Sequence, residues 1–109
     1  MAEQQMGDEK AEVQASLDRV GGERRFQILN AGPGSAFDVR FSVASEREKN
    51  SPVSAHDLEM LFPVTELKSG DAIAVGAIIT PGTGLHFRGV VTWRNVDGSE
   101  EEGVFYMSA

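Results

Sequence analysis

The chain has 109 residues, no cysteine, and a net charge of −7 from 17 acidic and 10 basic side chains. That length is enough for one core without covalent staples, and the lack of cysteine excludes disulfides, thiolate metal sites and a cysteine nucleophile. The acidic balance repels phosphate backbones and anionic lipid, so neither nucleic acid nor a membrane surface is an expected partner.

Met1–Lys10 is polar and reads as a flexible leader, leaving 11–109 as one domain. No apolar run is long enough for a signal-peptide core or a membrane span. The default expectation is therefore the cytoplasm, with an extracellular or cell-envelope setting if the sequence is an excised domain. Val13, Ala15 and Leu17 alternate with polar residues, and this period of two predicts a first strand rather than a short helix. Val20-Gly21-Gly22-Glu23 is a turn. Arg24–Asn30 follows as a strand with Phe26 and Ile28 on one side and Arg25 and Gln27 on the other; Leu29 is a misfit.

Asn30–Ser35 is a connection in which glycine supplies positive φ and Pro33 fixes its own. Asn30 is suited to hydrogen-bond the backbone of this turn. Phe37, Val39, Phe41 and Val43 then share one face, opposite Asp38, Arg40, Ser42 and Ala44. Ser45–Ser54 reads as a solvated loop or sheet edge. In Ala55–Phe62 the positions of Leu58, Leu61 and Phe62 fit one helical turn, with Ser54 as cap and Asp57 in the third position. Phe62–Leu67 is a short strand whose Pro63 suits an edge. After the Lys68–Asp71 turn, Ala72–Thr80 is apolar or small on both faces and predicts a central or doubly covered strand.

Beyond the Pro81–Gly84 turn, Leu85–Asn95 points Leu85, Phe87, Gly89, Val91 and Trp93 inward and His86, Arg88, Thr92 and Arg94 outward. Trp93 is expected to be a core anchor whose indole N–H needs a partner. Asp97-Gly98 marks a hairpin, and Glu102–Ser108 returns as the last strand with Val104, Phe105, Tyr106 and Met107. Seven or eight short strands with glycine at most corners predict an all-β antiparallel sandwich.

Leu29, Asn30, Gly32, Pro33, Ala36, Val39, Phe41 and Val43 resemble the N-x-G-x-x-x-A-x-x-V-x-V signature of bacterial immunoglobulin-like sandwich domains of the CARDB and fibronectin-like type. Phe62-Pro63-Val64 with Leu67 and Gly70-Asp71 resembles their edge and turn, and Val91, Trp93 and Asp97-Gly98 resemble their late hairpin. Phe37 and Phe41 are bulkier than the aliphatic residues usual there, Glu100-Glu101-Glu102 is unusually acidic, and Ala55–Leu61 has the look of an insertion. The resemblance runs from Val13 to Met107. It implies an immunoglobulin-like sandwich, and because those domains share no catalytic set it implies no particular activity.

Two function classes follow. The first is a non-catalytic interaction or spacer module without a cofactor. It would make protein contacts, or associate with itself by a sheet edge, through the outward residues His86, Arg88, Thr92 and Arg94 or the loops Asn30–Ser35, Ser45–Ser54 and Val96–Glu102. The second is a metal-binding or hydrolytic accessory domain. It would use His56, Asp57 and Glu59, or the acidic tip of Asp97, Glu100, Glu101 and Glu102 as a calcium site. Gly32-x-Gly34 and Gly82-x-Gly84 lack the Lys-Ser/Thr and helix of a phosphate cradle, and no G-x-S-x-G elbow occurs.

Overall fold

The computed structural model describes residues 9–45 and 51–109. Most of the expected leader, and the middle of the expected loop from Ser45 to Ser54, lie outside the described residues.

Among the described residues seven strands and one short helix follow one another: β1 (Val13–Val20), β2 (Glu23–Asn30), β3 (Ala36–Ser45), α1 (Ala55–Leu61), β4 (Val64–Leu67), β5 (Ala72–Gly76), β6 (His86–Arg94) and β7 (Glu100–Ser108). They form two antiparallel sheets, one ordered β1-β2-β5 and the other β4-β3-β6-β7. The inner faces meet in one core. Phe26, Ile28, Val13 and Val75 come from the first sheet, and Val39, Phe41, Phe87, Val91, Trp93 and Met107 from the second. Phe26 lies at its centre, with ring centroids 5.8 Å from both Phe41 and Phe87. Its contact with Phe87 is edge-on, the geometry that aromatic quadrupoles favour.

Local chemistry explains the turns. Gly21 and Gly22, with φ of 60° and 87°, join β1 to β2 in a two-residue hairpin whose left-handed backbone matches strand twist. Ser54 caps α1 by accepting a hydrogen bond from the Asp57 N–H at 3.4 Å. Leu58 and Phe62 pack against the core, whereas Leu61 is exposed.

Four expectations need correction. Phe37 does not share the inward face with Val39 and Phe41. A bulge between Phe37 and Arg40, with Asp38 at φ 52°, puts Ala36 and Val39 inside and leaves Phe37 half-buried. Aspartate is among the few residues besides glycine that tolerate this region. The strand expected over Ala72–Thr80 ends at Gly76 and is a sheet edge, not a centre. Just past its end Val53 bridges Ala77, and Ile78 N–H donates to the Pro52 carbonyl at 2.6 Å. With these contacts Pro52 and Val53 are buried rather than part of a solvated loop. Leu85 precedes β6 and is exposed instead of pointing inward.

Candidate functional site

β6 is an inner strand of the four-stranded sheet, and its alternation sends every second side chain to the outer face. His86, Arg88, Thr92 and Arg94 stand in that file, with Val90 in its middle, and all but the half-buried Thr92 and Val90 are exposed. On one side the register sets Arg88 opposite Ala44, Val90 opposite Ser42 and Thr92 opposite Arg40. On the other it sets His86 opposite Ser108, Arg88 opposite Tyr106, Val90 opposite Val104, Thr92 opposite Glu102 and Arg94 opposite Glu100.

The face is therefore graded along β7. Carboxylates lie at the hairpin end, Val104 at the middle and Tyr106 at the far end. Tyr106 is 80% exposed, the most exposed of the large hydrophobic side chains described. It borders a shallow groove of about 530 Å³ together with Ala44, His86, Arg88 and Ser108. His86 Nδ1 and Ser108 Oγ are hydrogen-bonded at 3.1 Å across the strands. The groove joins an aromatic body, a guanidinium and an imidazole on rigid strands. Such a set can take apolar contact, a carboxylate and hydrogen bonds together.

The acidic tip is built differently from a cation site. The Asp97 carboxylate accepts from the Ser99 hydroxyl at 2.6 Å and the Ser99 N–H at 2.9 Å, closing the turn around Gly98. The Ser99 hydroxyl first, and its backbone N–H second, hold the Asp97 carboxyl below the usual carboxylate range. A lowered folded-state pKa stabilises the turn above the ordinary carboxylate pKa, and this is lost as pH falls through the lower folded value. Ser99→Ala should return the Asp97 pKa toward its ordinary value in an NMR titration; an unchanged Asp97 would refute this assignment. Glu100 and Glu102 lie on the outer face, while the Glu101 carboxylate accepts from Asn95 Nδ2 at 3.0 Å. The structure does not bring Asp97, Glu100 and Glu102 to one point. Among the described residues no three histidine or carboxylate side chains converge as ligands, His56, Asp57 and Glu59 included.

A second depression, of about 710 Å³, lies where the chain enters β1, between Lys10, Glu12, Gly32, Pro33, Trp93 and Glu101. Two buried asparagines organise this end. Asn30 Nδ2 donates to the carbonyls of Gly34 at 2.7 Å and Leu67 at 2.9 Å, and its Oδ1 accepts from the N–H groups of Glu12 and Gly32, both at 3.1 Å. Asn95 Oδ1 accepts from Ala11 N–H at 3.0 Å. Gly32 and Gly34 serve this clasp by close approach, not by positive φ as the sequence suggested. A Cβ on Gly32 would lie 2.5 Å from the Glu12 nitrogen, and one on Gly34 2.6 Å from the Glu9 oxygen. Trp93 is 8% exposed and anchors the core as expected, but its indole N–H has no partner among the described residues.

Sequence reasoning passed over Asn30 and Asn95 as inward groups and Tyr106 as an outward one. Strand parity carried the signal in each case: Asn30 follows Phe26 and Ile28, Asn95 follows Val91 and Trp93, and Tyr106 opposes Met107. Compared with known proteins, the chain matches no family model, no curated protein and no solved structure.

Proposed function

We propose that this chain is an immunoglobulin-like, non-catalytic interaction module that receives a protein partner on the outer face of the β4-β3-β6-β7 sheet. Three strands facing four, with crossovers between the sheets, support the immunoglobulin-like part of the reading. The observation that carries the function is Tyr106, a largely solvated aromatic on a rigid strand, with Arg88 opposite it and Val104 and Val90 beside it. Tyrosine and arginine are the residue types that most often anchor protein interfaces, because they combine large contact area with directed polar groups.

The test is site-specific photo-cross-linking in cells that encode the protein. A photoreactive residue replacing Tyr106 should yield discrete adducts with a protein, identified by mass spectrometry. Arg88→Glu should abolish them, and the same probe at Ser16, exposed on the other sheet, should yield none. Equal labelling from both positions, or none from position 106, overturns the proposal.

A further inference from the structure

We infer that β7 is a self-pairing edge, and that two copies of this chain join β7 to β7 in antiparallel fashion about a two-fold axis at Val104. The inference rests on the interaction-module reading above and specifies one partner for it.

Backbone pairing gives the first argument. In the β6–β7 ladder the Asn95 N–H donates to the Ser99 carbonyl at 2.8 Å, and the Ala109 N–H donates to the Leu85 carbonyl at 2.8 Å. Both pairs lie in the register that runs from Arg94↔Glu100 to His86↔Ser108. Antiparallel pairing alternates between bonded and non-bonded pairs. Residues 101, 103, 105 and 107 therefore bond to β6, while Glu100, Glu102, Val104, Tyr106 and Ser108 direct their N–H and C=O groups away from it. Among the described residues no strand pairs with that side of β7, although β1 of the other sheet passes close by. The other outer strands are shorter: β4 has four residues, β5 five and β1 eight. β7 presents nine residues, a long template of unpaired backbone groups.

The side chains give the second argument, and they select the occupant. Antiparallel self-pairing centred on Val104 is the one register that engages all of Glu100–Ser108. It places Val104 opposite Val104, Glu102 opposite Tyr106 and Glu100 opposite Ser108 of the second copy. No two like charges face each other. Each Glu102 approaches a tyrosine that is itself opposite Arg88, and each Glu100 approaches a serine opposite His86. Across the joined sheet the central row reads Val90, Val104, Val104, Val90, and each flank sets the acid of one copy beside the base of the other. A register centred on Glu102 would instead set two glutamates face to face, which is destabilising. The acidic half of β7 thus complements the half of its own copy that lies beside Arg88 and His86. A two-fold interface requires this self-complementarity.

Sedimentation velocity over a range of protein concentrations tests the inference. The wild-type chain should shift from monomer to dimer as concentration rises. Val104→Lys should remain monomeric, since it sets two ammonium groups against each other at the axis, and so should Val104→Glu. An equimolar mixture of the two variants should recover the dimer. Val104 is partly exposed, and circular dichroism melting will verify that both variants fold. A wild-type chain that stays monomeric throughout, a Val104→Lys dimer, or a mixture of folded variants that stays monomeric overturns the inference. A monomeric wild type that still cross-links to another protein through position 106 would leave the interaction-module reading standing.

Discussion

Asn30→Ala is expected to lower folding stability by about 3–5 kcal/mol, read as a decreased urea midpoint with an unchanged slope. The side chain is fully buried and makes four hydrogen bonds. All four of its partners are backbone groups on three separate pieces of chain: the entry to β1, the β2–β3 connection and the end of β4. Alanine would strand the Gly34 and Leu67 carbonyls with no donor, and a buried unsatisfied polar group costs about 1–3 kcal/mol. Two further backbone bonds, Asn30 N–H to Asp71 and Gly70 N–H to Asn30, tie the same residue to the turn before β5. The loss should therefore spread to all of these segments in hydrogen exchange. Asn30→Asp should be destabilising as well, because it keeps the acceptor but sets a carboxylate oxygen against two carbonyls. A loss below about 1 kcal/mol for Asn30→Ala would show that the clasp does not hold these segments.

Gly32→Ala should cost about 2–4 kcal/mol, toward the severe end of overpacking effects. The new Cβ would meet the Glu12 nitrogen at 2.5 Å and the Lys10 oxygen at 2.7 Å, both backbone atoms that cannot rotate away. Relief requires moving the Lys10–Glu12 segment, which breaks the Gly34 N–H to Lys10 bond of 3.2 Å and the Ala31 N–H to Glu12 bond of 2.8 Å. Gly89→Ala is the control. Its Cβ would lie 2.7 Å from the Met107 Cε, the free end of a flexible side chain, and 3.2 Å from a Phe41 ring carbon. Methionine can change rotamer, so a loss of about 1 kcal/mol is expected there. Thermal melts of the two variants side by side decide the matter, and equal losses would refute the distinction.

Much of the architecture was legible from side-chain alternation. Phe26 and Ile28, Phe41 and Val43, and Phe87, Val91 and Trp93 declare their faces through a period of two, and Gly21-Gly22 and Asp97-Gly98 declare their hairpins. The outward file on β6 came from the same rule. What alternation could not supply was every place where backbone geometry breaks it. The bulge at Asp38 adds a residue to β3 and exchanges Phe37 for Ala36 at the core, and the sequence there carries no glycine to mark it. Ala72–Thr80 looked central because both faces are apolar, but composition does not distinguish an inner strand from an apolar edge. Asn30 sits among turn formers, and its burial follows only once four backbone groups surround it. Gly32 and Gly34 looked like turn glycines of positive φ because the chain segment that crowds them, residues 9–12, is remote in sequence. The groove at Tyr106 depends on which strand lies beside β6, a matter of topology.

The bond from Ala11 N–H to Asn95 Oδ1 spans 84 positions in the sequence. Its consequence is one of timing. When a chain is synthesised from its N-terminus, β1 can pair with β2 at once through the Gly21-Gly22 turn, a local event. The start of β1 then has no acceptor at Asn95, and β1 lacks β6 and β7, the strands of the opposing sheet that it packs against, until residues 86–108 have been made. An unclosed sandwich, apolar on its inner face, must wait for its last two strands. Such a waiting sheet is the exposed species on which aggregation and chaperones both act. The run Glu100–Glu102 arrives just behind the residue it waits for, so the final hairpin brings its own charge to the moment of closure.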